Sequence, residues 1–308
     1  MANPWCDVTL SRPRSVATQP VSRRRLGLRH ATVTQRQERK GGRAEWGKVQ
    51  HRGKQDPDAW ELFHRGTWYF GQFTRDALQE ASKLFLAAAK RDAQFAAPLA
   101  RAAIVQVFES LLGWSDPVKA IGEGYRLALA ANALDPVDPQ ALAALGFACA
   151  ATGHHDVAID YAKKSVELNP SSSYGHNTLG YAYVLNGQPA EAVGEIETAI
   201  RLSPNDLLLP IFLSLLATAH YMLADYEKCL ALGRLAVQKV PDYPLGRRNI
   251  ASALRQLGRI EEGQQALARF LELAPGYSAE AAHSSAPFRY DAEFERYMSG
   301  LRKLGWSG

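Results

Sequence analysis

Sulfur is scarce in this chain, with three cysteines and three methionines among 308 residues. Cys6, Cys149 and Cys229 form no spaced pair, which excludes a disulfide framework and a cysteine-based metal site. Cys149 and Cys229 fall in apolar helical stretches, where a thiol packs as a small core residue. A reducing, cytoplasmic setting is therefore expected. Long apolar runs are missing as well, since no stretch approaches the ~18 residues of a membrane span. The nearest, LLLPIFLSLLATAHYML, is interrupted by Pro210, Ser214, Thr218 and His220.

Catalytic signatures are also lacking. There is no Gly-x-Ser-x-Gly elbow, no complete phosphate-binding Gly-x-x-x-x-Gly-Lys-Ser/Thr loop and no His-Glu-x-x-His pair. His154 and His155 stand next to each other in the turn TGHHD, without the i, i+4 spacing that puts two imidazoles on one zinc ion. The GEGY stretch around Gly124 follows no strand and lacks the dinucleotide spacing, so Gly124 reads as a small residue at a helix crossing. The chain is expected to be non-catalytic, with no cofactor and no metal.

Charge is unevenly distributed. Residues 1–55 hold 13 Lys or Arg against 3 Asp or Glu, a net of +10, whereas the rest of the chain carries −5. The first stretch includes Arg12, Arg14, Arg23, Arg24, Arg25 and Arg29 and has neither helical nor strand periodicity, so it reads as a basic, disordered arm. Such an arm suits electrostatic contact with nucleic acid or an acidic membrane surface, or an organelle transit segment. It carries no helix-turn-helix, zinc-finger or RNA-binding motif, which leaves nucleic acid as a weak, unspecific partner.

What the chain does have is a sentence written twice. ALAALGFACAATGHHDVAIDYAKKSVELNP is followed by SYGHNTLGYAYVLNGQPAEAVGEIETAIRLSP. Gly146 recurs as Gly180, Ala158 as Ala192 and Pro170 as Pro204, always at one and the same interval. That interval, about 34 residues, is the length of a two-helix unit in a helical-repeat stack. Gly146 and Gly180 fall mid-way along a first helix, where a glycine costs about 1 kcal/mol against alanine unless a second helix crosses too close for a side chain. Ala158 and Ala192 hold the matching places on the second helix. Gly153 and Gly187 are placed to end the first helix of each pair, and Pro170 and Pro204 stop the second.

The same register extends outward. Pro136 stands one full interval before Pro170, and Pro275 one full interval after Pro241, while the step from Pro204 to Pro241 is slightly longer. Upstream, Asp56 and Pro57 begin a helix in which Gly66 and Tyr69 match the repeat, with Ala81, Phe85 and Ala88 on its partner.

These residues resemble the tetratricopeptide repeat over about residues 58–278. The resemblance implies an all-α fold: a right-handed superhelical solenoid of about six helix-turn-helix repeats with a C-terminal capping helix. The implied division is an arm at 1–55, a solenoid at 56–278 and a capping segment at 279–308. Within the last, Phe294, Tyr297, Leu301 and Leu304 would face the body and cover the apolar end of the stack.

A narrower likeness rests on DAWELFHRGTWYFGQFT, EASKLFLAAAKRD, GWSDP, LRQLGRIEEG and PFRYDAEFERYMSGLRKLGW. It is similar to the bacterial repeat region found C-terminal to class III adenylate/guanylate cyclase domains, or to winged-helix regulators with a TolB-like segment. Residues 1–55 match neither upstream domain, and the cyclase's metal-binding aspartates have no counterpart, so no cyclase activity follows. A truncated relative, or a start read from another frame, is the corresponding expectation.

Binding is the remaining function. First helices line the concave face of such a solenoid, and counting from the glycine position places Tyr174, Asn177 and Tyr181 there. Ser214, Thr218 and Tyr221 follow from the next unit, and Arg248, Asn249, Ser252 and Arg255 from the last. Tyrosine, asparagine and arginine suit capture of an extended peptide, with the arginines favouring an acidic segment or a C-terminal carboxylate. Ala143 and Phe147 stand where a chaperone-binding carboxylate clamp needs Lys and Asn. The expected function is a protein-interaction scaffold in bacterial signalling or regulation. The alternatives are the regulatory tail of a cyclase or transcriptional regulator, and a nucleic-acid-associated adaptor using the arm.

Overall fold

A computed structural model describes residues 56–308. The basic arm, Cys6 and the nucleic-acid expectation attached to residues 1–55 lie outside the described residues. Among the described residues there are fourteen helices and no strand. Twelve of them form six consecutive antiparallel pairs: α1 (Pro57–Phe70) with α2 (Arg75–Arg91), α3 (Ala96–Leu111) with α4 (Pro117–Leu134), and α5 (Pro139–Ala151) with α6 (His155–Leu168). The others are α7 (Ser173–Leu185) with α8 (Pro189–Leu202), α9 (Leu209–Met222) with α10 (Tyr226–Lys239), and α11 (Pro244–Gln256) with α12 (Ile260–Leu273). Two more, α13 (Ala279–Ser285) and α14 (Asp291–Lys303), end the chain. The all-α helical-repeat solenoid is the fold.

Local chemistry starts and stops these helices where the sequence places the signals. Asp56, Thr74, Asp116, Asp138, Ser172 and Asp225 each accept a hydrogen bond from a first-turn backbone N–H. Such a cap satisfies donors that have no partner inside the helix. The first helix of each of the last four pairs ends the same way. His154 N–H donates to Cys149 O, Gln188 to Tyr183, Asp225 to His220 and Arg259 to Leu254, all at 2.8–2.9 Å. This 6→1 bond needs a residue with positive φ before it. Gly153, Gly187 and Gly258 supply it at φ 77–80°, and in the fifth pair Ala224 takes φ 62° despite its side chain.

The two helices of a pair are buried differently. In α6 only Ala158, Ile159, Ala162 and Ser165 are buried, one stripe of an otherwise solvated helix. In α5 every residue from Ala141 to Ala151 is buried, and α7 and α9 are nearly as enclosed. An inner helix needs apolar neighbours on all sides to read like this, so something must cover the concave face.

Two things do. The superhelix curls tightly enough that the turn after α1 meets the fifth and sixth pairs. The Phe73 ring lies 5.3 Å from that of Tyr243, and Gly71 sits against Leu207. The C-terminal segment then folds back inside. α13 packs on α3 and α4, and α14 packs on α11 and α9. The closing helix does form, with Phe294, Leu301 and Leu304 buried. It packs on α11 of the last pair and, more lightly, on α9. Leu304 also reaches α12 at Gly263, near the point where α11 and α12 cross.

Candidate functional site: the inner face and the segment it holds

The concave face is built on an aromatic ladder. Phe70, Phe108, Phe147 and Tyr181 follow one another down α1, α3, α5 and α7 with ring centroids 4.8–5.9 Å apart. Phe147 and Tyr181 hold the same repeat position, directly after Gly146 and Gly180, whereas Phe70 stands four residues after Gly66 at the end of its helix. The ladder gives the face an apolar floor, with polar side chains at its edges.

Across this floor runs a short non-helical stretch, Ala286–Tyr290, between α13 and α14. The Arg289 backbone N–H donates to Leu185 O at the end of α7 (2.8 Å). Its guanidinium donates from Nη1 to Asp156 Oδ1 at 2.6 Å and to Asn186 Oδ1 at 2.9 Å, joining the first turn of α6 to the turn after α7. Phe288 is buried against Tyr297 and Phe294. At the far end the Trp114 indole donates to Leu273 O (2.8 Å), and Ser285 Oγ donates to Ser110 O (3.0 Å).

All seven residues expected to bind a partner lie on the inner helices, and α14 engages three of them. The Tyr221 hydroxyl bonds Ser299 Oγ at 2.9 Å and Gln256 Nε2 at 2.8 Å. Arg248 stacks over the Tyr297 ring at 4.3 Å and donates to Thr218 Oγ1 and Asn249 Oδ1. Arg255 donates to Lys303 O at the end of α14, and it is only half-buried. Asn249 points along the wall, donating to Ser214 O of α9 (2.7 Å), so it ties two inner helices together.

Tyr174 lies under the Arg101 guanidinium at 5.7 Å, and neither its hydroxyl, that of Tyr181 nor Asn177 Oδ1 has a hydrogen-bond partner. The expectation of an open groove is thereby corrected. Six of these residues are buried, Tyr221 and Arg248 against α14 and the others among the inner helices. Sequence reasoning missed the C-terminal segment, and the available signal was Pro287, which breaks helix continuation just before Phe288 and Arg289.

Electrostatics at the clasp are pH-sensitive. The His155 imidazole is pushed down to about 4, first by burial and then by the neighbouring Arg289 charge, against the pull of Asp156. His154, which hydrogen-bonds Thr152 Oγ1 at 2.8 Å, is lowered by burial too. An unfolded histidine titrates near 6.5, so the unfolded chain takes up the proton first and stability falls as pH drops from about 6.5 toward about 4. After solvent screening, His155 should account for about 1 kcal/mol lost between pH 7 and pH 5. Urea midpoints at the two pH values check this, with His155→Asn as the comparison. Glu109, raised by burial, acts in the opposite sense, but equally in both chains. Equal losses in both would remove His155 from the account.

Among the described residues no group of three or more His, Cys, Asp and Glu side chains could hold a metal ion. No helix there is long and apolar enough to cross a membrane. Burial pushes the Cys149 and Cys229 thiols up to about 12, which suits core packing.

The comparisons with known proteins agree with the repeat. Tetratricopeptide-repeat profiles match residues 139–172 and 249–277, and another matches 161–194. The last begins within α6 and runs through α7 into α8, half a unit out of phase, as a continuous stack allows. The chain carries tetratricopeptide repeats.

Among solved structures, a chain of the APC/C hetero-tetramer Cut9–Hcn1 is 16% identical, with a TM-score of 0.53 over 81% of this chain and 52% of that one. A thermophilic TPR protein of Thermus thermophilus is 22% identical, covering 60% of this chain and 92% of that one with a TM-score of 0.46. PilF of Pseudomonas aeruginosa is 17% identical, covering 75% and 97% with a TM-score of 0.46. Curated proteins gave no match.

Proposed function

We propose that this chain is a non-catalytic protein-interaction scaffold whose inner face takes an extended peptide, in the cytoplasm and in a bacterial signalling or regulatory setting. The observation that carries the reading is the Ala286–Tyr290 stretch. It is held as a peptide ligand is held, by one main-chain hydrogen bond, one buried aromatic and one arginine clasped by two turns. The tetratricopeptide repeat supports it, because such stacks present a continuous concave surface. The partner would then displace the resident segment, or use what the displaced segment exposes. The narrower likeness to repeat regions that follow cyclase or winged-helix domains belongs to the same reading: the displaced segment would report to a domain upstream.

A synthetic peptide of residues 283–304 tests this against the full chain. In the unmodified protein the tethered segment competes at an effective concentration on the order of millimolar, so the added peptide should not bind. With Phe288→Ala and Arg289→Ala the resident copy is weakened, and the peptide should bind saturably. A doubly substituted chain that keeps its helical circular dichroism yet takes no peptide overturns the reading.

A further inference from the structure

Between the aromatic floor and the resident segment lies a cavity of about 60 Å³. Its walls are largely apolar, including Phe108, Phe147, Ile211 and Leu245, and Phe288 and Tyr297 of the segment complete it. Six polar side chains also line it: Asn177, Tyr181, Ser214, Thr218, Tyr243 and Arg248, each more than nine-tenths buried. Asn177 Oδ1, Tyr181 OH, Ser214 Oγ and Tyr243 OH have no hydrogen-bond partner. Ser214 and Tyr243 lie within hydrogen-bonding reach of each other, so Asn177 Oδ1 and Tyr181 OH are the two that no neighbouring side chain serves. Buried polar atoms are almost always paired, so two unpaired ones and a loosely joined hydroxyl pair around one cavity mark a place where something else supplies the partners.

Arg248 says what kind of partner. Among the described residues it makes no ion pair, and its guanidinium rests on a tyrosine face, a threonine hydroxyl and an amide oxygen. Burial works against its charge. An unpaired buried cation is costly and is relieved by an anion brought within reach. The Tyr181 hydroxyl is free to donate, and one of the Ser214–Tyr243 pair can donate outward while accepting from the other, so the cavity offers a guanidinium and at least two O–H groups to an acceptor-rich, singly charged group. Its aliphatic and aromatic walls suit a compact apolar body.

We propose that this cavity binds a small monocarboxylate, a carboxylate on an apolar body of a few carbons. Arg248 carries the charge recognition, and the Tyr181, Ser214 and Tyr243 hydroxyls orient the two oxygens. The amide oxygen of Asn177 remains for a donor on the ligand or a bridging water. Phe288 closes over the apolar end, so the ligand lies beneath the resident segment and does not replace it. The site goes beyond the peptide reading and stands without it.

The test titrates the full chain with isobutyrate, with the neutral isostere isobutyramide and with inorganic phosphate, followed by calorimetry and thermal unfolding. Isobutyrate should bind saturably and raise Tm. The amide should bind at least about tenfold more weakly, because it cannot meet the buried cation. Phosphate should leave Tm unchanged. Tyr181→Phe removes a hydroxyl that no side chain serves in the empty cavity, and Tyr243→Phe one that is only loosely joined, so each should leave the ligand-free Tm unchanged or higher. Each should also weaken isobutyrate by about tenfold.

Three results overturn the proposal: no saturable isobutyrate binding, an equal response to the amide, or a lower ligand-free Tm in both phenylalanine variants. The last would mean that ordered water already satisfies the hydroxyls.

Discussion

Replacing Gly300 with valine is expected to lift α14 off the inner face while leaving the six helix pairs folded. A Cβ at this position would stand 2.7 Å from Ser252 Cα, 2.8 Å from Ser252 Cβ and 2.8 Å from Ser252 O. Two of those atoms are backbone in the middle of α11, so no side-chain rotation relieves the clash, and valine adds two further carbons. Overpacking of this kind costs about 1–3 kcal/mol where a core must yield, and here the docked helix can move away instead.

Moving it breaks the Arg248–Tyr297 stack, the Tyr221–Ser299 bond and the Arg255 cap together, and uncovers Met298 and Leu301, both fully buried. Amide hydrogen exchange over residues 291–303 should accelerate by about a hundredfold, since each 1.4 kcal/mol is a factor of ten. Exchange in α5 and α6 should change little. Unaltered protection of α14 would mean that the helix is held elsewhere and that Gly300 is incidental.

The repeat itself was legible because its cause is local. Period, glycine and proline positions and turn residues all recur from one unit to the next, and each acts on its immediate neighbours. The same arithmetic placed Tyr174, Tyr181, Tyr221 and Arg248 on the inner helices, since residues three and four apart share a helix face. What covers them was not legible. The Arg289 clasp joins residues 103 and 133 positions apart in sequence, and Ala286–Tyr290 has no helical or strand period to announce its path.

Asn249 shows a subtler limit. Its position on the inner helix was correctly counted, but at the close approach of α9 its amide finds the Ser214 carbonyl before it finds the groove. Ala224 marks the opposite case. It occupies the left-handed turn position that glycine fills in three neighbouring pairs, so conformation followed the stack where the residue type gave no signal.

The other large effect is expected at Gly146, the residue on which the repeat turns. A Cβ there would meet Ala158 O at 3.1 Å and Ala162 N at 3.2 Å, both backbone atoms of α6. At the equivalent Gly180 the nearest atom is Ile196 Cγ1 at 2.4 Å, part of a side chain that can change rotamer.

Alanine at 146 gains about 1 kcal/mol of helix propensity against that contact, so its net effect is small in either direction. Valine loses most of that propensity gain and pushes two methyl groups toward a crossing made of main chain. Gly146→Val should therefore cost about 3 kcal/mol. At roughly 2–4 °C per kcal/mol for a body of this size, Tm should fall by about 6–12 °C.

Gly194 supplies the control, because nothing lies within 4 Å of a Cβ there; alanine at that position should raise stability by up to about 1 kcal/mol. Thermal unfolding of the three chains decides the matter. If Gly146→Val unfolds with the parent, α5 and α6 have room at their crossing, and the recurrence of glycine from Gly146 to Gly180 needs a cause other than close packing.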